Sequence, residues 1–164
     1  MQDLKYMNDL ERIREAIETT GLFKETSPNN VAVLTEQSCI ISVDKGQVIF
    51  VHEESASRFF IIMNGWVKLF RETLDGTQAV VDILSTGHIF GESSLFHNNT
   101  YPYSAEAAEP VELLSLPLLF LKTEIDTNPK IARSLLSTMA HARRQQDREL
   151  EHRSIQNAPQ RIAC

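Results

Sequence analysis

Two short segments of this chain carry the residue types best suited to binding chemistry. Residues 87–96 read GHIFGESSLF, and residues 103–105 read YSA. The pair Gly91-Glu92 stands where a strand-like pattern breaks into a short turn of helix, and a strand of small residues begins next to Tyr103. Such a turn places backbone N–H groups, hydroxyl groups and one carboxylate around a small concavity. Because these groups bind phosphates and sugar hydroxyls, the two segments indicate a ligand-binding site.

The spacing of glycines around these segments predicts a fold built mainly from strands. Between Cys39 and Leu116, short runs of β-branched and aromatic residues alternate with turn signals, and Asp75-Gly76 is typical of a hairpin. The interrupting glycines are Gly46, Gly65, Gly76, Gly87 and Gly91. Short strands separated in this way are typical of a small all-β sandwich or barrel.

Helices are predicted on both sides of the strand region. Apolar residues at helical spacing mark residues 9–17, and Ser27 followed by Pro28 supplies a cap and a first-turn proline for a second helix. A short third helix is expected to begin at Pro117. The Asn-Pro pair that opens the segment 128–156 is expected to cap a long final helix.

The order of these elements resembles the sensor domain of the CRP/FNR family of bacterial transcription regulators. The phosphate-binding cassette of that family reads Gly-Glu-x-x-Leu-Phe, then a variable loop and Arg-Ser/Thr-Ala, and residues 91–96 and 104–105 match it. The resemblance implies a mainly β, double-stranded β-helix (jelly-roll) domain of the cyclic-nucleotide-binding type, with short N-terminal helices and a long C-terminal dimerisation helix. The effector-binding residues that it implies are Gly91, Glu92, Ser93, Tyr103, Ser104 and Ala105.

The resemblance also implies three parts. These are an effector domain over 1–127, a dimerisation helix over 128–156, and, over 157–164, a hinge and the start of a helix-turn-helix DNA-binding domain. Residues 1–127 hold 9 basic and 19 acidic residues, whereas residues 128–164 hold 7 and 3. An acidic body does not favour nucleic acid. DNA is therefore expected as a partner only through a following domain, beside a small-molecule effector and a second copy of the chain.

One position departs from the family pattern. Family members that bind cyclic nucleotides place an arginine directly before Ser/Thr-Ala, where its guanidinium grips the cyclic phosphate. This chain has Tyr103 there, and no Arg or Lys occurs between Arg71 and Lys122. Without a nearby cation, Glu92 would repel a phosphate. Cyclic AMP is therefore not the expected effector.

The same stretch bears on which effector is sensed instead. Residues 101–107 resemble the equivalent stretch in family members associated with denitrification and the nitric-oxide response, which implies haem or another non-nucleotide effector. The β region holds His52, His88 and His97, any of which has a ring nitrogen suited to haem iron. The cysteine cluster of the family's iron–sulfur sensors is missing from residues 1–38. An iron–sulfur cluster is therefore not expected.

The final helix carries a stripe at steps of three and four residues. The family resemblance favours a parallel homodimer through this stripe, and its polar second half is typical of a pairing that a ligand adjusts. The alternative is a helix packed on its own domain, for which Ile131 and Leu136 are the expected contacts. The residues expected at the dimer seam are Leu135, Met139, Ala142 and Gln146.

Other function classes are set against this interpretation. No nucleophile paired with a base, Walker loop or zincin motif occurs, so no catalysis is predicted. A cupin-like metalloenzyme needs several histidines and a carboxylate converging on one metal, and the spacing of the three β-region histidines gives no sign of this, so no metal site is predicted. A regulatory or scaffolding domain with an empty, vestigial pocket stays open as an alternative.

Location and thiol chemistry complete the sequence-based expectations. No run of about eighteen apolar residues occurs, and the first residues lack the apolar region of a secretory signal, so a cytoplasmic protein without a membrane partner is expected. Cys39 and Cys164 are too few for a disulfide framework or a zinc site. Cys39 is expected to be a buried small apolar residue.

Overall fold

A computed structural model of the protein describes residues 2–139, and its helices agree with the sequence signals. The Ser27 hydroxyl accepts a hydrogen bond from the backbone N–H of Asn30 at 3.2 Å, and Pro28 occupies the first turn of the second helix. The cap expected before the final helix is also present, because Asn128 Oδ1 accepts from the backbone N–H of Lys130 at 3.1 Å. The helices are α1 (Gln2–Thr19), α2 (Pro28–Gln37), α3 (Leu118–Thr127) and a helical segment over 129–139, with single 3-10 turns at Gly21–Phe23 and Glu92–Phe96.

Eight strands form two four-stranded antiparallel sheets that face each other, and the predicted jelly roll is confirmed. One sheet has the order β1-β8-β3-β6 and the other the order β2-β7-β4-β5. The strands are β1 (Cys39–Val43), β2 (Val48–Phe50), β3 (Arg58–Asn64), β4 (Val67–Glu72), β5 (Gln78–Leu84), β6 (Ile89–Phe90), β7 (Ser104–Ala107) and β8 (Val111–Pro117).

The core has two parts because β3 is buried on both faces. Side chains alternate along a strand, so Phe60 and Ile62 point between the two sheets, whereas Phe59 and Ile61 point to the other side. There they pack with residues of α1, α2, α3 and the segment 129–139. The helices therefore cover the outer face of the β1-β8-β3-β6 sheet. Within residues 2–139, no helix is both long and apolar enough to cross a bilayer.

The structure corrects the prediction of which residues at the start of the final helix face the core. Leu135 is 1% exposed and lies with Ile131 in the helical part of the core, whereas Leu136, expected to face inward, is 63% exposed. Met139 is partly buried against the same core. The steps of four from Ile131 to Leu135 and Met139 thus form the stripe that packs on the chain's own domain. Of the other seam residues, Ala142 and Gln146 lie outside the described residues.

The expectation for Cys39 is wrong, because its side chain is exposed. Cys39 opens β1, which lies at the edge of its sheet and pairs only with β8 on one side. The partly buried residues of this strand are Ile40, Ile41 and Val43. A short edge strand has less to bury than a central one, which an apolar sequence pattern alone does not reveal.

Candidate functional site

The cassette begins where β6 ends, at a residue with left-handed backbone geometry. Gly91 has a φ of +88°, a region that favours glycine, and it is followed at once by the 3-10 turn Glu92–Phe96. The Ser94 hydroxyl donates to the carbonyl of Gly91 at 2.5 Å and is fully buried. Glycine at position 91 therefore lets the chain turn sharply out of the sheet and present the side chains of the 3-10 turn.

The Tyr103 hydroxyl occupies two hydrogen-bond donors of the cassette. Its oxygen accepts hydrogen bonds from the backbone N–H of Gly91 at 3.2 Å and from the Ser93 hydroxyl at 3.4 Å. Burial raises the pKa of Tyr103 above its ordinary value, and the nearby charge of Glu92 adds to this increase. The phenol is therefore neutral at physiological pH. In this chain a neutral hydroxyl takes up hydrogen bonds that an anionic ligand would otherwise accept.

Glu92 is half-buried, and one oxygen of its carboxyl is fully buried. Its Oε2 atom is inaccessible to solvent and has no hydrogen-bond partner within residues 2–139. This burial raises the pKa of Glu92 to about 7, partly offset by a hydrogen bond from its own backbone N–H. Because an unpartnered buried carboxylate is costly, the site favours a proton or a hydrogen-bond donor at Oε2.

The six predicted effector-binding residues do not all reach the same space. Glu92, Ser93 and Tyr103 line a cavity beside the cassette, whereas Gly91, Ser104 and Ala105 do not line it. Ser104 is buried, and its hydroxyl accepts from the backbone N–H of His52 at 2.9 Å. Ala105 is fully buried in β7 between β2 and β4. Ser104 and Ala105 therefore support the cassette from within the protein and do not line the cavity.

The cavity has a volume of about 910 Å³ and extends well beyond the cassette. Its walls come from β3, β4, β5 and the β5–β6 turn on one side, and from α1 and residues 137–139 on the other. Most of the wall is apolar, with three acidic residues, one arginine and one histidine among the described residues. These charged or titratable wall residues are Glu15, Asp82, Glu92, Arg12 and His88.

The arginine in the wall is already paired. Arg12 forms a hydrogen-bonded ion pair with Glu112 and lies 4.0 Å from Asp9. The bond to Glu112 raises the pKa of Arg12 above its ordinary value. Sequence reasoning missed this wall, because nothing in the spacing of α1 indicated that the helix faces the cassette. The cavity therefore presents a net negative surface, since its one described cation is neutralised.

Two further residues hold the cassette loop in place. Tyr101 stacks on Phe50 with ring centroids 3.7 Å apart, and its hydroxyl donates to the carbonyl of Arg58 at 2.8 Å. Burial raises the pKa of Tyr101 to about 12. Arg71, despite its distance in sequence, donates through Nε to the carbonyl of Pro102 at 2.8 Å. A cation therefore does lie near the loop, bound to its backbone outside the cavity.

The histidines of the β region fall into two groups. His88 lines the cavity, and its Nδ1 lies 3.0 Å from the backbone N–H donor of Ser85. His52 and His97 lie outside this cavity and converge on the carboxylate of Glu53. The spacing gave no sign because the contact depends on tertiary structure. The loop after β2 lies against the loop after the 3-10 turn.

The fold and the turn at Gly91 define a class of protein, and comparison with known proteins confirms it. Residues 40–128 match the cyclic nucleotide-binding domain family. The chain therefore belongs to the cyclic nucleotide-binding domain family.

Its relatives support this placement. The CRP-like cAMP-activated global transcriptional regulator of Mycobacterium tuberculosis is 28% identical over 149 residues, which cover 91% of this chain and 66% of that protein. The cyclic AMP receptor protein of Thermus thermophilus is 32% identical over 119 residues, which cover 73% of this chain and 55% of that protein. This chain thus spans between about half and two thirds of the length of these relatives.

A solved structure shows the same fold. The structure of DNR from Pseudomonas aeruginosa superposes with a TM-score of 0.70 at 26% identity, covering 88% of this chain and 64% of that one. The sensor domain of this transcriptional regulator, solved separately, gives 0.72 at 23% identity, with 85% and 94% covered. The jelly roll with its flanking helices is therefore the shared scaffold.

Proposed function

We propose that this chain is the effector-sensing and dimerisation part of a CRP/FNR-type transcription regulator, and that its effector is not a cyclic nucleotide. One observation carries the second half of this proposal. The Tyr103 hydroxyl accepts from the Gly91 N–H and the Ser93 hydroxyl, so the cassette is closed by its own side chain. Two relatives are named as cAMP-activated or as a cyclic AMP receptor, and by analogy with them a cyclic nucleotide would be expected. The residue at position 103 therefore decides between the two expectations.

The charges of the cavity support the same conclusion. A cyclic phosphate seated beside Glu92 would meet a buried carboxyl with no described cation free to neutralise it. The ionised form of this carboxyl, which predominates only above its raised pKa of about 7, repels an anionic phosphate, since two like charges about 4 Å apart repel by roughly 4 kcal/mol at an effective dielectric constant near 20. The pocket therefore suits a ligand that donates a hydrogen bond to Glu92 and buries apolar surface elsewhere.

Haem is a specific non-nucleotide candidate, because it buries a large apolar surface and carries no phosphate. The cavity volume of about 910 Å³ and its apolar walls fit a large planar ligand, and His88 contributes an imidazole to the wall. His88 would be the residue to hold the iron, and a bound haem would supply the capacity to bind nitric oxide. The acidic wall residues are the feature least suited to its propionates.

The proposed partners are a second copy of the chain and, through a following domain, DNA. Leu136 is exposed next to a helix face that is otherwise packed on its own domain, so we place the homodimer contact on its side of helix 129–139. A contact there replaces the one expected at Leu135. Ala142 and Gln146 stay a separate prediction for the seam, because helical spacing in the sequence places them on the face of Leu135 and not on that of Leu136.

Calorimetry with cyclic AMP and cyclic GMP tests the ligand class. Loss of a charge-assisted bidentate contact costs about 2 to 5 kcal/mol, or roughly a 30- to several-thousand-fold loss of affinity. The unmodified chain is expected to bind weakly or not at all, and Tyr103→Arg to gain affinity. Tyr6→Arg on the exposed side of α1 is the matched control and is expected to gain none. A micromolar or tighter dissociation constant for the unmodified chain would overturn the proposal.

The second candidate is a regulatory or scaffolding domain with a vestigial pocket. It is favoured by the internal satisfaction of the cassette donors, which leaves the turn ordered without any ligand. A visible absorption spectrum after haem reconstitution separates the two. A Soret band that is lost in His88→Ala supports haem sensing, whereas the absence of both the band and any ligand-dependent rise in melting temperature supports the vestigial pocket.

A further inference from the structure

A cluster of metal-ligating side chains lies outside the cavity, where the loop after β2 meets the end of the cassette turn. Glu53 Oε1 lies 2.9 Å from His52 Nε2 and 3.1 Å from His97 Nε2. The ligand atoms of all three side chains lie within 4.8 Å of one another. The side chains are 41%, 57% and 42% exposed in chain order, so an ion reaches them directly from solvent.

These separations suit a tetrahedral metal ion. Zinc binds imidazole nitrogen and carboxylate oxygen at about 2.0 to 2.2 Å, which places neighbouring ligand atoms about 3.3 Å apart. The two nitrogen–oxygen distances are slightly shorter than this, and small rotations of exposed side chains open them. Three protein ligands leave the fourth position to water.

The backbone around the cluster holds the two loops together before any ion binds. The Glu53 N–H donates to the carbonyl of Tyr101 at 2.8 Å, and the Ala56 N–H donates to the carbonyl of Asn99 at 2.8 Å. Ser55 and Thr100 form an isolated bridge between the loops. The ligands are therefore largely pre-arranged, which lowers the ordering cost of binding.

The donor set selects among cations. Two imidazoles with one carboxylate suit zinc, nickel or copper, whereas magnesium and calcium prefer oxygen ligands throughout. Glu53 has a backbone φ of +69°, a region that favours glycine. A glycine at position 53 would have no carboxylate to serve as a metal ligand.

We propose that His52, Glu53 and His97 form a binding site for a divalent cation of the zinc class. This site goes beyond the proposed function and does not depend on it. A bound ion would link the β2–β3 loop to His97, the residue that ends the 3-10 turn of the cassette. Because the His52 N–H also donates to Ser104, the ion would stiffen the support behind the cassette.

Zinc calorimetry on the complete 164-residue chain tests the site, with Mg²⁺ as the comparison cation. We expect one Zn²⁺ site and no Mg²⁺ binding. His52→Asn and His97→Asn are each expected to weaken Zn²⁺ binding on the order of 100-fold, since even supporting contacts cost about 10- to 100-fold in metal sites. The double variant His141→Asn with His152→Asn is the matched control and is expected to keep the Zn²⁺ affinity.

Unchanged Zn²⁺ affinity in His52→Asn or His97→Asn would overturn the proposal, and so would loss of affinity in the control double variant. Circular dichroism checks that each variant is folded. If a histidine variant does not fold, Glu53→Gln provides the second test, because it keeps the shape and loses the anionic ligand. Zn²⁺ is expected to raise the melting temperature of the unmodified chain more than that of Glu53→Gln. Equal increases would mean that the ion binds elsewhere.

Discussion

Glu92 offers a quantitative test of the electrostatics of the cavity. Burial raises the pKa of its carboxyl from an ordinary value of 4.5 to about 7 in the folded protein. The folded state therefore holds the proton to higher pH than the unfolded state does. The resulting loss of stability begins as the pH rises above about 4.5 and is complete above about 7. A shift of this size corresponds to about 3 kcal/mol of unfolding free energy.

Glu92→Gln removes the titration while keeping the shape of the side chain. At pH 8 the variant is expected to be more stable than the unmodified chain by about 2 to 3 kcal/mol, and at pH 5 the gap should shrink to below about 1 kcal/mol. Urea unfolding at both pH values, at one fixed protein concentration, measures the gap. Glu109→Gln, at an exposed position, is the control and should show no such change. A gap for Glu92→Gln that is the same at pH 5 and pH 8 would refute the reasoning.

Two further outcomes test the turn and the helix. Gly91→Ala is expected to cost about 1 to 3 kcal/mol of unfolding free energy, because its φ of +88° strains any residue with a Cβ atom; an unchanged urea midpoint would contradict this. Leu135→Ala is expected to cost about 2 to 5 kcal/mol because it leaves a hole in the core, whereas Leu136→Ala should change monomer stability by less than about 0.5 kcal/mol and weaken the dimer in sedimentation experiments. A dimer that survives Leu136→Ala would place the contact elsewhere.

Local signals in the sequence predicted the elements well, because their causes are local. Ser27 and Pro28 form a cap and a first turn whatever the helix packs against. Gly91 marks the break after β6 because its backbone lies in the left-handed region. Glycine adopts this region at little cost, whereas most other residues do not. The jelly roll itself followed from the order of motifs and from a family resemblance, since strand spacing alone fits several all-β folds.

Contacts between residues that are distant along the chain could not be predicted from the sequence. The sequence shows Tyr103 in the place of an arginine. The hydrogen bond from the Gly91 N–H to the Tyr103 hydroxyl, however, depends on how β7 is placed against β6. His52 and His97 meet only because two loops lie side by side. The helix faces were misassigned because Leu135 and Leu136 are both apolar, and a pattern of threes and fours fits a dimer seam and an intramolecular contact equally well.

The closed cassette changes where an effector would act. With the Gly91 N–H and the Ser93 hydroxyl held by Tyr103, the turn is ordered without ligand, so ordering of the turn is not available as the signal. The rest of the cavity lies between Glu92, α1 and residues 137–139. An effector seated there would contact the final helix directly. Such a ligand shifts the helix only through contacts that differ between its two positions. The polar second half of the segment 128–156, where the sequence predicts an adjustable pairing, lies outside the described residues, and the cavity wall supports a ligand contact earlier in the helix, at residues 137–139.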